Sequence, residues 1–230
     1  MTITTAIATR QGTGANLADA AVVFASERGD VGAGLVDIAG HDPRAPFTAR
    51  LLAETAARIA PQRGTLAALL TAGLLVADAG AQDEPEPDGV GVAAWARLDG
   101  LTRIAWIGDS HAYAWDGAAL TRLTTPHTWG EQLRTRFDVD VETSKLADHI
   151  LTTSLSNATP ATVLHIDTRA PLVILATDGL DDVYPEELAS MVANHGSDPQ
   201  ALADVLVAAP GEDETGYRDD VTVVVVQHHD

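Results

Sequence analysis

The chain has 230 residues, 14 of them basic and 33 acidic, for a formal net charge of −19. That charge repels nucleic acid and anionic membranes and attracts cations, and the absence of cysteine removes disulfides, a thiolate nucleophile and cysteine zinc sites, so a metal here is held by oxygen. No shift in composition marks a boundary, the first residues lack a basic region followed by an apolar core, and the longest apolar stretch, 66–77, is too short to span a bilayer; one cytoplasmic domain over 1–230 is predicted.

Residues 2–9 alternate loosely around Ile3 and Ile7 and read as a strand, which the glycines at 12 and 14 end. Two more strands, 20–25 and 31–36, flank a hairpin-like connection at 27–30, and the second runs into Asp37. Asp42 and Pro43 resemble a helix start, and Phe47, Leu51, Leu52, Ala56 and Ile59 recur at helical spacing until Pro61 and Gly64 stop the pattern. A second helix is predicted over 65–79, followed by an acidic, proline-bearing loop at 81–88. Short apolar runs at 90–98, 102–107, 112–115 and 120–123 are separated by Asp-Gly turns at 99–100 and 116–117, the grammar of an antiparallel meander. Residues 126–143, charged and weakly periodic, read as a surface segment, and 145–155 as a helix. The run 163–166 is expected to pair with 172–176 through a turn at 167–171. Helices follow over 186–193 and 199–207, and 221–226 is the last strand. Helices come in pairs between groups of strands, which points to an α+β fold with antiparallel sheets and not to a doubly wound parallel sheet.

The stretch 172–182, Leu-Val-Ile-Leu-Ala-Thr-Asp-Gly-Leu-Asp-Asp, concentrates the chemistry. Its apolar run predicts a strand buried on both faces, and Asp178 and Gly179 follow at its end. A single Asp-Gly at a strand end is ordinarily a turn. Three other aspartates share the arrangement: Asp37 follows Ala-Gly-Leu-Val, Asp109 follows Ala-Trp-Ile-Gly, and Asp219 lies just before Val-Thr-Val-Val-Val-Val. Hard divalent cations prefer carboxylate and water oxygens, and a pair of them can clamp a phosphoryl group and activate water. His41, four residues after Asp37, is a candidate to protonate a leaving oxygen. His111 and His127 read as structural, and Asp19, Asp181, Asp182 and Asp220 as supporting or capping groups.

These motifs resemble, in order and over nearly the whole chain, those of the metal-dependent PP2C-type (PPM) Ser/Thr protein phosphatases in their bacterial form. Asn16 to Ala20 looks like the family's Asn-Glu-Asp-Ala, and Asp37 to His41 like its Asp-Gly-Met-Gly-Gly-His. Ile107 to Tyr113 is similar to Val-Gly-Asp-Ser-Arg-Ala-Tyr, Thr177 to Val183 to Ser-Asp-Gly-Leu-Thr-Asp-Val, and Arg218 to Val226 to Arg-Asp-Asn-Ile-Thr-Val-Val-Val-Val. The resemblance implies a β-sandwich of two antiparallel sheets flanked by helices on both outer faces. It implies two manganese or magnesium ions bridged by Asp37, with Ile38 offering its backbone carbonyl, Asp178 and Asp219 completing the ligands, and Asp109 holding a third, weaker ion. It further implies hydrolysis of phosphoserine and phosphothreonine in proteins by a water activated between the metals, in a monomer that opposes a Ser/Thr kinase. The region corresponding to 126–143 is a mobile flap in that family, and Arg134 and Arg136 are expected there to steer a phosphopeptide.

Two departures stand beside the matches. Leu17 and Ala18 occupy the place of the family's acidic residue before the motif aspartate, and Thr13 stands where its phosphate-gripping arginine is found, leaving Arg10 as the nearest candidate for that catalytic role. The alternative expectation is therefore a catalytically impaired module that binds a phosphoprotein partner without hydrolysing it.

Overall fold

The computed structural model describes residues 1–40, 42–77 and 87–229, and these form two five-stranded antiparallel sheets. One has the order β1 (Thr2–Arg10), β10 (Val221–His229), β9 (Leu172–Ala176), β6 (His111–Trp115) and β7 (Leu120–Arg122). The other has the order β2 (Asp19–Ala25), β3 (Val31–Ile38), β4 (Gly89–Ala96), β5 (Thr102–Ile107) and β8 (Leu164–Thr168). Successive side chains of a strand point to opposite faces, so an unbroken apolar run serves two layers at once. In β9 and β10, Val173, Leu175, Val224 and Val226 meet Ala33, Leu35, Ile104 and Trp106 between the sheets. Their neighbours Leu172, Ile174, Val221, Val223 and Val225 pack beneath α5 (Pro185–His195) and α6 (Pro199–Ala208). Val36 and Ile38 of β3 turn the other way, toward α1 (Ala45–Arg63) and α2 (Thr65–Gly73). The result is the expected α+β sandwich with helices on both outer faces. Among the described residues no helix is long and apolar enough to cross a membrane.

The buried face of α1 agrees with the periodicity reading at Leu52, Ala56 and Ile59 and differs from it at Phe47 and Leu51. Phe47 is 73% and Leu51 41% exposed, while Ala49, Leu52, Ala53, Ala56, Ala57 and Ala60 are fully covered. The reason lies in β3, where a side chain on Gly32 or Gly34 would strike the carbonyls of Ala57 and Ala53. From Ala53 to Ala57 the helix and strand backbones approach so closely that only small side chains fit at the contact. Pro61 does not stop this helix; it sits in the last turn, and the backbone turns away at Gly64, with φ of 88°. The second helix ends at Gly73, earlier than expected, and positions 78–79 of that prediction, like 81–86 of the loop, lie outside the described residues.

Two further expectations are corrected. Residues 146–154 form no helix; instead α3 (Trp129–Phe137) and α4 (Val141–Lys145) occupy the preceding charged segment. Thr128 caps α3 by accepting from the Glu131 amide, and Asp140 caps α4 by accepting from the Thr143 amide, so local capping outweighs the weak periodicity there. The strand near 163–166 does not pair with 172–176. It is β8, paired with β5 at the half-exposed edge of one sheet, whereas fully buried β9 sits inside the other, between β10 and β6. They contrast in burial: no residue of β8 is buried, as suits an edge strand, whereas every residue of β9 is, as suits a central one.

Candidate active site

Asp37, the penultimate residue of β3, lies directly opposite Asp19 of β2. Asp109 stands in the crossover from β5 to β6, just after Gly108, whose φ of 91° and close approach to Val90 leave no room for a side chain. Asp178 opens a 3-10 helix, Asp178–Asp182, at the end of β9. Asp219 precedes β10, the strand hydrogen-bonded to β9, and the junction is tied by the Thr177 amide donating to the Thr222 carbonyl at 3.1 Å and the Thr222 amide to the Thr177 hydroxyl at 2.9 Å. Strand ends of both sheets thus deliver Asp37, Asp109, Asp178 and Asp219 to one cavity of about 210 Å³, which Ile38 also lines.

Electrostatics records the crowding. Burial pushes the Asp37 carboxyl well above the usual carboxylate range, and the charges of Asp19, Asp178, Asp109 and Asp219 push it further. Asp178 is raised well above its ordinary value by burial and then by Asp109 and Asp219. Burial raises Asp109 to about 6, and Asp19 to about 7 even though the Thr177 hydroxyl donates to it at 2.8 Å. Such a cluster needs protons or cations to balance it. Its donors are all oxygen, the chemistry that suits magnesium or manganese. As placed, no three acidic or histidine side chains among the described residues close into a ready cation cage; the chain offers a carboxylate-lined cavity, not a formed coordination sphere.

The remaining candidates fall elsewhere. Arg10 does not line this cavity: its Nη1 donates to the carbonyls of Ala208 and Pro210, each at 3.0 Å, and so caps the end of α6. The catalytic role expected of it is not what this geometry serves. His41 lies outside the described residues. Ala18 stands on the cavity wall, its amide donating to Asp220 Oδ2 at 2.6 Å and its carbonyl accepting from Ile38 at 3.1 Å. Asp220, which also accepts from the Gly12 amide at 2.7 Å, is the capping group expected.

His111 is fully buried. Burial lowers its pKa, so the ring is neutral, with Nε2 donating to Asp181 at 2.8 Å and Nδ1 accepting from Arg122 at 2.6 Å. His127 accepts from the Gly108 amide at 3.0 Å and holds that turn. Arg134 is not free to steer a ligand: it grips Asp148 at 2.8 and 3.0 Å, Glu131 at 3.1 Å and the Ser144 hydroxyl at 3.1 Å, bracing α3 against α4. Arg136 is exposed.

Sequence reasoning missed two polar side chains of the wall, His149 and Tyr217, the latter's hydroxyl donating to Asp219 Oδ1 at 3.1 Å. Tyr217 could have been found from its place two residues before Asp219. His149 has no local signal, because it reaches the cavity from a stretch that reads as a helix.

No family model matches the chain. It is similar to "Probable protein phosphatase 2C 9" of Arabidopsis thaliana, with 30% identity over 141 residues, 54% of this chain and 50% of that protein. The chain therefore spans about half the length of that curated relative. Among solved structures it is similar to the serine/threonine phosphatase PstP/Ppp of Mycobacterium tuberculosis, with a TM-score of 0.80 and 21% identity over 100% of both chains. Stp1 of Staphylococcus aureus superposes with a TM-score of 0.79 and 15% identity, over 100% of this chain and 96% of that one. MsPP of Mycobacterium smegmatis, solved in complex with cacodylate, gives 0.74 and 21% over 100% of both. Two facing antiparallel sheets and helices on each outer face give this chain the fold of the bacterial serine/threonine phosphatases to which it is similar.

Proposed function

We propose that the chain hydrolyses phosphoserine and phosphothreonine in proteins, with manganese or magnesium held by Asp37, Asp178 and Asp219, the Ile38 backbone, and a weaker ion at Asp109. The observation that carries this reading is the convergence of four aspartates from both sheets on one cavity. Such ions, when bound, supply Lewis-acid charge to a phosphoryl group and make water nucleophilic near neutral pH. The chain's own groups hold the site open and oriented. Tyr217 fixes Asp219 through its hydroxyl, Thr177 holds Asp19 and the β9–β10 junction, and Asp220 ties the loops before β2 and at Gly12 to β10. His149, on the wall, is the described histidine placed to pass a proton to the leaving serine or threonine oxygen. The partner is a phosphoprotein made by a Ser/Thr kinase.

A second reading, an impaired module that binds phosphoprotein without hydrolysis, is favoured by Ala18 on the cavity wall and by Arg10 held at α6. Phosphate release from a phosphothreonine peptide, measured with manganese and with excess chelator, separates the two. Turnover that requires manganese supports the enzyme. Turnover unaffected by chelator removes the metal-dependent mechanism, and binding of a hydrolysis-resistant phosphonate peptide without turnover supports the module.

A further inference from the structure

Beside the carboxylate cavity lies a second of about 240 Å³, and the two share Asp109, His149 and Asp178 on their walls. The second cavity in turn shares Arg122, Asp148 and Asp181 with a groove of about 550 Å³ at the outer edge of β7. The three cavities therefore adjoin one another in sequence from the aspartates to the sheet edge. Its far end is apolar on one side, where Tyr113, Leu120, Val183 and Leu188 line it. Arg122 stands at the junction with the second cavity, and exposed Lys145 lines the groove itself. Asp148 and Asp181 balance these two cations in the lining, and Arg122 already donates to His111 at 2.6 Å and lies 3.8 Å from Asp181, so Lys145 is the groove's exposed cation placed to meet an anionic or carbonyl group of a bound segment.

We propose that this groove is a specificity site for the phosphoprotein substrate: it takes a large aliphatic side chain flanking the phosphorylated serine or threonine, while Lys145 meets the segment's anionic or carbonyl groups. The proposal rests on the phosphatase reading of the aspartate cavity. An extended segment projects alternate side chains to one side, so one flanking position, and not its immediate neighbours, meets the groove. Burying one aliphatic side chain in such a site gives a discrimination of about tenfold or more.

The test uses phosphothreonine peptides of otherwise alanine and glutamine, with one leucine moved through the flanking positions. Turnover is measured with manganese, and the affinity of the matching phosphonate peptides by fluorescence anisotropy. One position should raise kcat/KM, and tighten phosphonate binding, about tenfold over the leucine-free peptide, and Leu120→Gln on the half-exposed edge strand should erase that preference. If turnover occurs with no position favoured more than about twofold, or if Leu120→Gln keeps the preference, the groove is not a specificity site although hydrolysis stands. If phosphonate peptides show the preference but none is hydrolysed, the groove stands and the phosphatase reading falls. If nothing is bound or hydrolysed, both fall.

Discussion

At the scale of single residues, Asp178 is subject to opposed demands. Its carboxylate is crowded by Asp109 and Asp219 in a half-buried place, which destabilises the metal-free fold, while that same charge is what would hold a dication. Asp178→Asn keeps the shape and removes the charge. It should raise the metal-free melting temperature at neutral pH by about 2–4 °C, the shift that roughly 1 kcal/mol gives in a chain of this size, and lower phosphopeptide turnover about a hundredfold or more. Circular dichroism melts and phosphate release check the two halves; near wild-type turnover, or a lower metal-free melting temperature, would refute the assignment. The four aspartates were legible in the chain because each follows or precedes a strand-like apolar run. Arg10 was misleading for a physical reason: a guanidinium at a strand end can reach many acceptors, and here the carbonyls at the end of α6 lie within reach.

Among the elements, the tightest constraint joins β3 to α1. Gly32 and Gly34 present bare backbone to a helix face made of alanine, and that contact sets the layer from which Asp37 projects. Gly34→Ala would press a methyl against the Ala53 carbonyl and the Ala56 side chain. Overpacking of this kind costs about 1–3 kcal/mol, so the midpoint of thermal unfolding should fall by at least about 2 °C; an unchanged midpoint would show the interface to be slack. The alanine face was hard to recognise because hydrophobic periodicity favours large residues, and Phe47 and Leu51 satisfy it while pointing to solvent. The charged 126–143 segment was misread for a related reason. Its helices are short, and Thr128, Asp140 and the Arg134 brace to Glu131 and Asp148 hold them without a continuous apolar stripe.

For the whole molecule, the net charge of −19 means that folding draws like charges together. Raising sodium chloride from ~0.01 M to ~0.2 M shortens the screening length from about 30 Å to below about 10 Å. With chelator present, the melting temperature should rise by a few degrees over that range; a fall would mean that specific surface ion pairs outweigh the overall repulsion. The sequence by itself determined the strands of both sheets, the paired helices, the α+β class and the four strand-end aspartates, because these depend on local apolar runs, turn residues and spacing. It did not determine that β8 and β9 part into different sheets, that α1 buries alanines, that Arg10 closes α6, or that His149 and Tyr217 join the aspartate wall. Those outcomes depend on which backbones approach closely and which distant acceptors come within reach. Only the packed tertiary structure decides them, since contacts between residues far apart in the chain leave no periodic mark along it.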